Sequence, residues 1–339
     1  MKIIVPMAGM GKRMRPHTLT VPKPLIPLAG KPIVQHLMED IVSICPEKVD
    51  EIAFVIGRFG NEVEQNLKNI ATSLGAEGTI HYQDEALGTA HAILCAESAL
   101  TGKVIVSFAD TLFRPEDQLD TNTDGTIWVK QIEDPRQFGV VKINSDNVIT
   151  DFVEKPQDFV SDLAIIGIYY FRDGDNLKKE LQYLIDNDIK DKGEYQLTNA
   201  MENMKNKGLK LMPGRVAEWL DCGNKDATVY TNQRVLETKH SSNAIDTTAT
   251  ITNSVINAPC FIGRNAVITN AVVGPFVSLG DNSSIDNSVV RNSIIQTNTK
   301  INNACIDNSM IGNYVTYNGT AKDLSVGDYS SEGPADMKA

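Results

Sequence analysis

"MAGMGKRMRPHTLTVPKPLIPLAGKP", Met7 to Pro32, is the stretch on which the reading of this chain turns. It follows the short apolar run "KIIVP" and sets Gly9 and Gly11 among cations. The whole chain has a formal net charge of -11, yet its first 38 residues hold Lys2, Lys12, Arg13, Arg15, Lys23 and Lys31 and no acidic residue. Most of these cations sit among glycines and prolines rather than on a helical face, so the positive charge is a local feature suited to a small anion. Glycines after a first strand let backbone N–H groups approach a phosphate chain, and cations neutralise it. A dinucleotide fingerprint is excluded because Met14 stands at its third glycine. A Walker loop is excluded because Arg13, not Ser or Thr, follows Gly11-Lys12. What remains is Gly9-x-Gly11-x-Arg13 with Lys23 close behind. Taken alone, it is equally well a plain turn with solvated cations.

Outward from this loop, strand-like and helix-like segments alternate as far as about Lys239. "EIAFVIG", "TIHYQ" and "KVIVSFAD" read as strands. "KPIVQHLMEDIVSI" puts Ile33, Leu37, Ile41 and Ile44 at helical spacing, with Pro32 suited to a first turn. "NEVEQNLKNIATSLG" reads as a helix capped by Asn61 and stopped by Gly75, and "TAHAILCAESAL" as another. Such alternation implies an α/β sheet with parallel strands. The middle is richer in strands ("TIWVKQI", "FGVVKIN", "VITDFVEKP", "LAIIGIYYF"), and helices are expected near 175–190, 196–207 and after Gly223.

The pattern then changes. Helical periodicity disappears, Asn becomes dense, and aliphatic residues recur every five or six positions, as in Phe261-Ile262, Val267-Ile268, Val272-Val273, Ile285, Val289-Val290, Ile301 and Ile306. This is a hexapeptide repeat, the mark of a parallel β-helix. Asn, Gly and Asp suit its corners because they tolerate left-handed backbone. A β-sandwich fits less well, since its strands are longer and further apart. The expected domains are 1–239, 240–320 for the repeat, and a tail or cap over 321–339. The tail has little apolar content.

The chain's 339 residues, with 42% hydrophobic and 22% charged, read as an ordinary globular protein of two domains. Its acidity excludes wholesale nucleic-acid binding. No apolar run approaches a membrane span, and "MKIIVPMAGM" is too short and too soon interrupted for a signal peptide. The five scattered cysteines form no CxxC pair, which fits a reducing cytoplasm.

The opening resembles that of the sugar-phosphate nucleotidylyltransferases, approximately GGxGTRLxPLTxxxPKPLxPLxGKP. The match is Gly9, Gly11, Arg13, Pro16, Thr18, Pro22-Lys23-Pro24-Leu25 and Gly30-Lys31-Pro32, with Ala8 and Lys12 as departures. Further segments follow in order: "QDEALGTAHA", "VIVSFADTLF", "FGVV", "VEKP", "IIGIYYF", "GEYQLTNAM" and "EWLDCGN". The resemblance implies a Rossmann-like nucleotidyltransferase domain, a mixed sheet flanked by helices, followed by a left-handed β-helix. It implies a nucleotide site of Ala8, Gly9, Gly11, Lys12, Gln83, Gly88 and Thr89. A sugar-phosphate site of Gly139, Glu154, Lys155, Gly167 and Thr198 is implied too, with Asp110 and Asp221 holding Mg2+. The implied reaction joins a nucleoside triphosphate to a sugar 1-phosphate and releases pyrophosphate.

That chemistry suits the residues. The nucleophile is a phosphate oxygen, already anionic, so no general base is required, and the five histidines form no dyad. The difficulty is bringing two anions together, which cations relieve. Arg13 would serve the leaving pyrophosphate, Lys23 the transferring phosphate, Lys155 the sugar phosphate and Glu154 the sugar hydroxyls. Some relatives of this kind acetylate through their β-helix using a histidine, but none lies beyond His240 here. The repeat therefore reads as structural, oligomerising or regulatory, and a homo-oligomer without nucleic-acid or membrane partners is expected. Transfer of thymidylyl or uridylyl to glucose 1-phosphate is the favoured reading. Guanylyl transfer to mannose 1-phosphate is the alternative, and the rival of another class is a catalytically inactive sugar-nucleotide-binding regulatory protein.

Overall fold

The run Ile3-Ile4-Val5 is wholly buried, as expected of a strand covered on both faces. This strand, β1 (Lys2–Pro6), is central. In the computed structural model, which describes residues 1–9, 11–240, 242–320 and 322–330, the chain divides into two compact units, Met1–Arg234 and Val235–Ala339.

In the first unit β1 is followed by a short hairpin, β2 (Pro27–Leu28) and β3 (Lys31–Pro32), and by α1 (Ile33–Ile44). Then come β4 (Glu51–Ile56), α2 (Asn61–Ser73), β5 (Glu77–Tyr82), α3 (Thr89–Leu94), β6 (Val104–Ser107), β7 (Thr111–Pro115) and β8 (Gly125–Gln131). The unit continues through β9 (Gly139–Ile143), β10 (Ile149–Glu154), β11 (Leu163–Phe171), α4 (Gly174–Asp186), α5 (Leu197–Asn206) and β12 (Leu211–Asp221), and α6 (Lys225–Lys239) follows. The main sheet runs β5-β4-β1-β6-β11-β8-β12-β7. β5, β4, β1 and β6 are mutually parallel, whereas β11 is antiparallel to both β6 and β8, and β12 to β7. The sheet is mixed, as expected. From β1 the chain moves one way to β4 and β5 and the other way to β6. That reversal opens a crevice at the carboxyl ends of the parallel strands, the usual ligand position in such sheets.

Two local expectations shift. Asn61 is already the first helical residue, and the cap position falls to Gly60. The helix over "TAHAILCAESAL" stops at Leu94 because the hydrogen bonding tightens to three-residue spacing, with Ala96 N–H on Ile93 O (3.1 Å) and Ala99 N–H on Ala96 O (2.9 Å).

In the second unit, one parallel sheet stacks Ala244–Ile245, Cys260–Ile262, Val277–Leu279, Ser293–Ile295 and Ser309–Ile311. A second stacks Thr250–Thr252, Val267–Thr269, Ser284–Asp286, Lys300–Asn302 and Thr316–Asn318, and a third Val255–Ile256, Val272–Val273, Val289–Val290 and Cys305–Ile306. This is the parallel β-helix expected from the repeat, left-handed as the resemblance implied. Ile262, Ile268, Val273, Leu279, Ile285, Val290, Ile295 and Ile301 form its buried core. Corner asparagines take the left-handed conformation, for example Asn253 (φ 48°), Asn270 (φ 49°), Asn287 (φ 45°) and Asn303 (φ 51°). Their side chains bond from coil to coil, Asn253 Nδ2 to Asn270 Oδ1 at 2.6 Å and Asn287 Nδ2 to Asn303 Oδ1 at 2.7 Å. Of the expected tail over 321–339, residues 322–330 hold no strand or helix, and 321 and 331–339 lie outside the described residues. Among the described residues no helix is long and apolar enough to cross a membrane.

Candidate active site

The opening loop emerges from the end of β1 and turns sharply at Gly11 (φ 56°). A side chain there would meet Lys23 Cβ at 3.0 Å and Thr18 Cγ2 at 3.1 Å, so the turn packs directly on the Lys23 segment. Thr18 Oγ1 donates to Gly11 O at 2.8 Å, and Met14 N–H donates to the same oxygen at 2.9 Å. Met14 is buried and anchors the turn, which leaves Lys12 and Arg13 exposed. Ala8, Gly9, Gly11 and Lys12 line a cavity of about 590 Å³.

The same cavity is lined by Gln83, Gly88 and Thr89. Gly88 (φ 114°) cannot be another residue without rearrangement: a Cβ would lie 2.4 Å from Tyr195 O and 2.7 Å from Tyr195 N. The close approach is held by Tyr195 N–H on Leu87 O and Ala90 N–H on Tyr195 O, both 2.9 Å. Thr89 Oγ1 donates to Gln196 Oε1 (3.1 Å) and accepts from Leu197 N–H (2.9 Å). Its hydroxyl thus ties this segment to the start of α5.

A second cavity, of about 690 Å³, is lined by Gly139, Glu154, Lys155, Gly167 and Thr198. These residues come from β9, the end of β10, β11 and α5. Lys155 has a left-handed backbone (φ 44°), a strained conformation of the kind that collects at ligand sites. Its Nζ is 3.5 Å from Glu154 Oε1, and its side chain remains 57% exposed. Thr198 is 7% exposed, and its Oγ1 has no hydrogen-bond partner among the described residues. A buried hydroxyl left unpaired costs roughly 1–3 kcal/mol, which a ligand in this cavity could recover. The two cavities share Arg13, Thr89, Phe108 and Asp110.

Asp110 lies between β6 and β7, and Asp221 ends β12. The antiparallel pairing of β12 with β7 sets Asp221 opposite Thr111, and Cys222 N–H donates to Asp110 O at 3.0 Å. Two carboxylates far apart in sequence are thus neighbours. Lys23, 7% exposed, places Nζ 3.1 Å from Asp110 Oδ2. The Asp221 carboxyl is raised above its ordinary value. Burial is the main cause; Lys23 opposes it, Asp110 adds to it, and the Gly223 N–H and Arg13 pull back. Hard oxygen donors whose mutual repulsion is only partly neutralised fit a small divalent cation. No group of three or more His, Cys, Asp or Glu converges among the described residues. Substrate oxygens or water would therefore have to complete such a site.

Sequence reasoning passed over several lining residues. Arg136 lines the second cavity beside Phe138 and Trp219, whose rings meet edge to face at 4.8 Å. Trp219 Nε1 donates to Thr111 Oγ1 at 2.5 Å, bracing the strand that follows Asp110. The tryptophan stands two residues before Asp221 in "EWLDCGN", which was the available signal. His91 lies within the segment "QDEALGTAHA", though it was not singled out there, and it contacts Gln83.

Residues 2–238 match the family model described as "Nucleotidyl transferase". The low-salt glycan biosynthesis nucleotidyltransferase Agl11 of Haloferax volcanii is 29% identical over 327 residues, covering 89% of each chain. The glucose-1-phosphate thymidylyltransferase of Streptomyces antibioticus is 29% identical over 325 residues, covering 89% of this chain and 88% of its own. Among solved structures, a nucleoside-diphosphate-sugar pyrophosphorylase from Vibrio cholerae RC9 superposes with a TM-score of 0.58 at 20% identity, over 68% of this chain and 98% of that one, a likeness of fold.

Proposed function

The chain belongs to the nucleotidyl transferase family, and from that premise we propose that it joins dTTP or UTP to glucose 1-phosphate, yielding the nucleoside diphosphate sugar and pyrophosphate. The observation that carries this reading is the division of the site. Apart from Thr89, residues assigned to the nucleotide line one cavity and residues assigned to the sugar phosphate line the other, and Arg13, Thr89 and Asp110 belong to both. The catalytic domain is taken as 1–239, the repeat as 240–320 and the tail as 321–339.

In this mechanism Lys155 and Thr198 hold the sugar phosphate while Glu154 accepts from sugar hydroxyls. Ala8, Gly9 and Gly11 let the triphosphate approach the backbone. A sugar-phosphate oxygen forms a bond to the α-phosphorus in line with the breaking bond to the β-phosphate, and pyrophosphate leaves. Lys23 stabilises charge on the α-phosphate and Arg13 on the leaving group, interactions that strengthen as the transition state forms. Asp110 and Asp221 would hold Mg2+, which when bound supplies positive charge against the phosphate oxygens. No proton transfer is needed, consistent with two cavities whose lining, among the described residues, includes no histidine.

A matrix of nucleoside triphosphates against sugar 1-phosphates, read as pyrophosphate release with and without EDTA, tests the proposal. Turnover with dTTP or UTP and glucose 1-phosphate supports it. Turnover only with GTP and mannose 1-phosphate replaces the substrates, and nucleotide-sugar binding without any turnover favours the regulatory reading.

A further inference from the structure

Gln83 follows β5, with its backbone N–H on Ile56 O at 2.9 Å. Its side-chain amide is bracketed by two groups. Nε2 lies 3.4 Å from Gly88 O and 3.2 Å from His91 Nδ1. A carbonyl oxygen only accepts, so the amide atom facing Gly88 O has to be the nitrogen. That nitrogen also faces His91, so Nδ1 accepts and the neutral imidazole carries its proton on Nε2. With the amide nitrogen engaged on both sides, the remaining hydrogen-bonding atom of Gln83, Oε1, is the one left for a ligand. Gln83 lines the cavity with Gly88, whereas His91, in the first turn of α3, does not.

We propose that His91 is a positioning residue for base specificity: it fixes the Gln83 amide so that Oε1 accepts from a ring N–H. Uracil, thymine and guanine carry such a donor. Cytosine and adenine present a ring nitrogen that only accepts, which would oppose Oε1 and leave it unpaired. The inference rests on the reading above in which Gln83 and Gly88 contact the base. It adds a residue that does not itself touch the nucleotide, and it excludes cytidylyl and adenylyl transfer.

The test compares kcat/KM for UTP with that for CTP at saturating glucose 1-phosphate in the wild type, His91→Leu and His91→Asn. Leucine removes the acceptor, whereas asparagine can place Oδ1 near the position of Nδ1. His91→Leu is expected to lower the UTP:CTP ratio about tenfold, the worth of one net hydrogen bond. His91→Asn is expected to restore most of the ratio, and KM for glucose 1-phosphate is expected to stay constant throughout. The ratio is internal to each preparation, so partial unfolding does not distort it, and His91→Asn remains informative if the leucine variant fails to fold. A wild type that prefers CTP or ATP overturns the inference. So does a ratio unchanged in His91→Leu, or one lost equally in His91→Asn. A wild type inactive with every nucleotide refutes the proposed reaction instead, a distinguishable failure.

Discussion

Lys23→Met keeps the apolar stem of Lys23 and deletes its charge. That charge sits 3.1 Å from Asp110 Oδ2 on a side chain only 9% exposed. Two unit charges about 4 Å apart interact by about 4 kcal/mol at an effective dielectric of 20. The Asp110 side chain is 48% exposed, so water competes for it. The expected loss is therefore roughly 1–3 kcal/mol of stability. The variant also leaves Asp110 and Asp221 facing each other without their shared cation. A divalent cation should then stabilise the variant more than the wild type. The assay is urea denaturation of both proteins in EDTA and in excess Mg2+. Equal stability in EDTA, or an equal Mg2+ increment in the two proteins, would refute the reasoning that Lys23 neutralises this carboxylate pair.

Gly88→Ala would place a Cβ 2.4 Å from Tyr195 O. Backbone strain of about 1–3 kcal/mol and overpacking of similar size should show as a fall in melting temperature and a raised KM for the nucleotide, checked by thermal denaturation and steady-state kinetics. Thr198→Val removes a buried hydroxyl that lacks a partner among the described residues; it should leave the ligand-free protein as stable or more stable while raising KM for the sugar 1-phosphate. Asp221→Asn should abolish most turnover yet stabilise the protein at neutral pH, because the raised carboxyl resists ionisation in the folded state. That advantage should grow as pH rises through the raised value and vanish below the usual carboxylate range, where Asp221 is protonated in folded and unfolded chains alike. Thermal denaturation in EDTA from acid to neutral pH reads it.

The β-helix was legible because its core positions repeat every five or six residues and its corners demand asparagine. Each inward residue, such as Ile268 or Val290, is buried by coils that repeat the same rule. The opening loop was legible for a similar reason, since many residues fall at fixed spacing. What the sequence left hidden is what tertiary pairing decides. That Asp110 and Asp221 come together was expected only from the family resemblance; the pairing that brings it about, β12 antiparallel to β7, was not, because β7 was not foreseen as a strand. The clasp of Thr89 on Gln196 and Leu197 joins distant segments through one hydroxyl. His91 looked like any polar residue in a short helix, and only its distance to Gln83 gives it a part.

The division of the site between the two cavities is tested most directly by calorimetric titration of dTTP into the wild type and Lys155→Ala, paired with the sugar 1-phosphate KM of each. Lys155 lines only the second of the two cavities, next to Glu154. The account predicts nucleotide affinity within about twofold of the wild type and a sugar 1-phosphate KM raised at least tenfold, the loss of one charge-assisted contact. Nucleotide binding abolished in Lys155→Ala, with the sugar 1-phosphate KM unchanged, would contradict it.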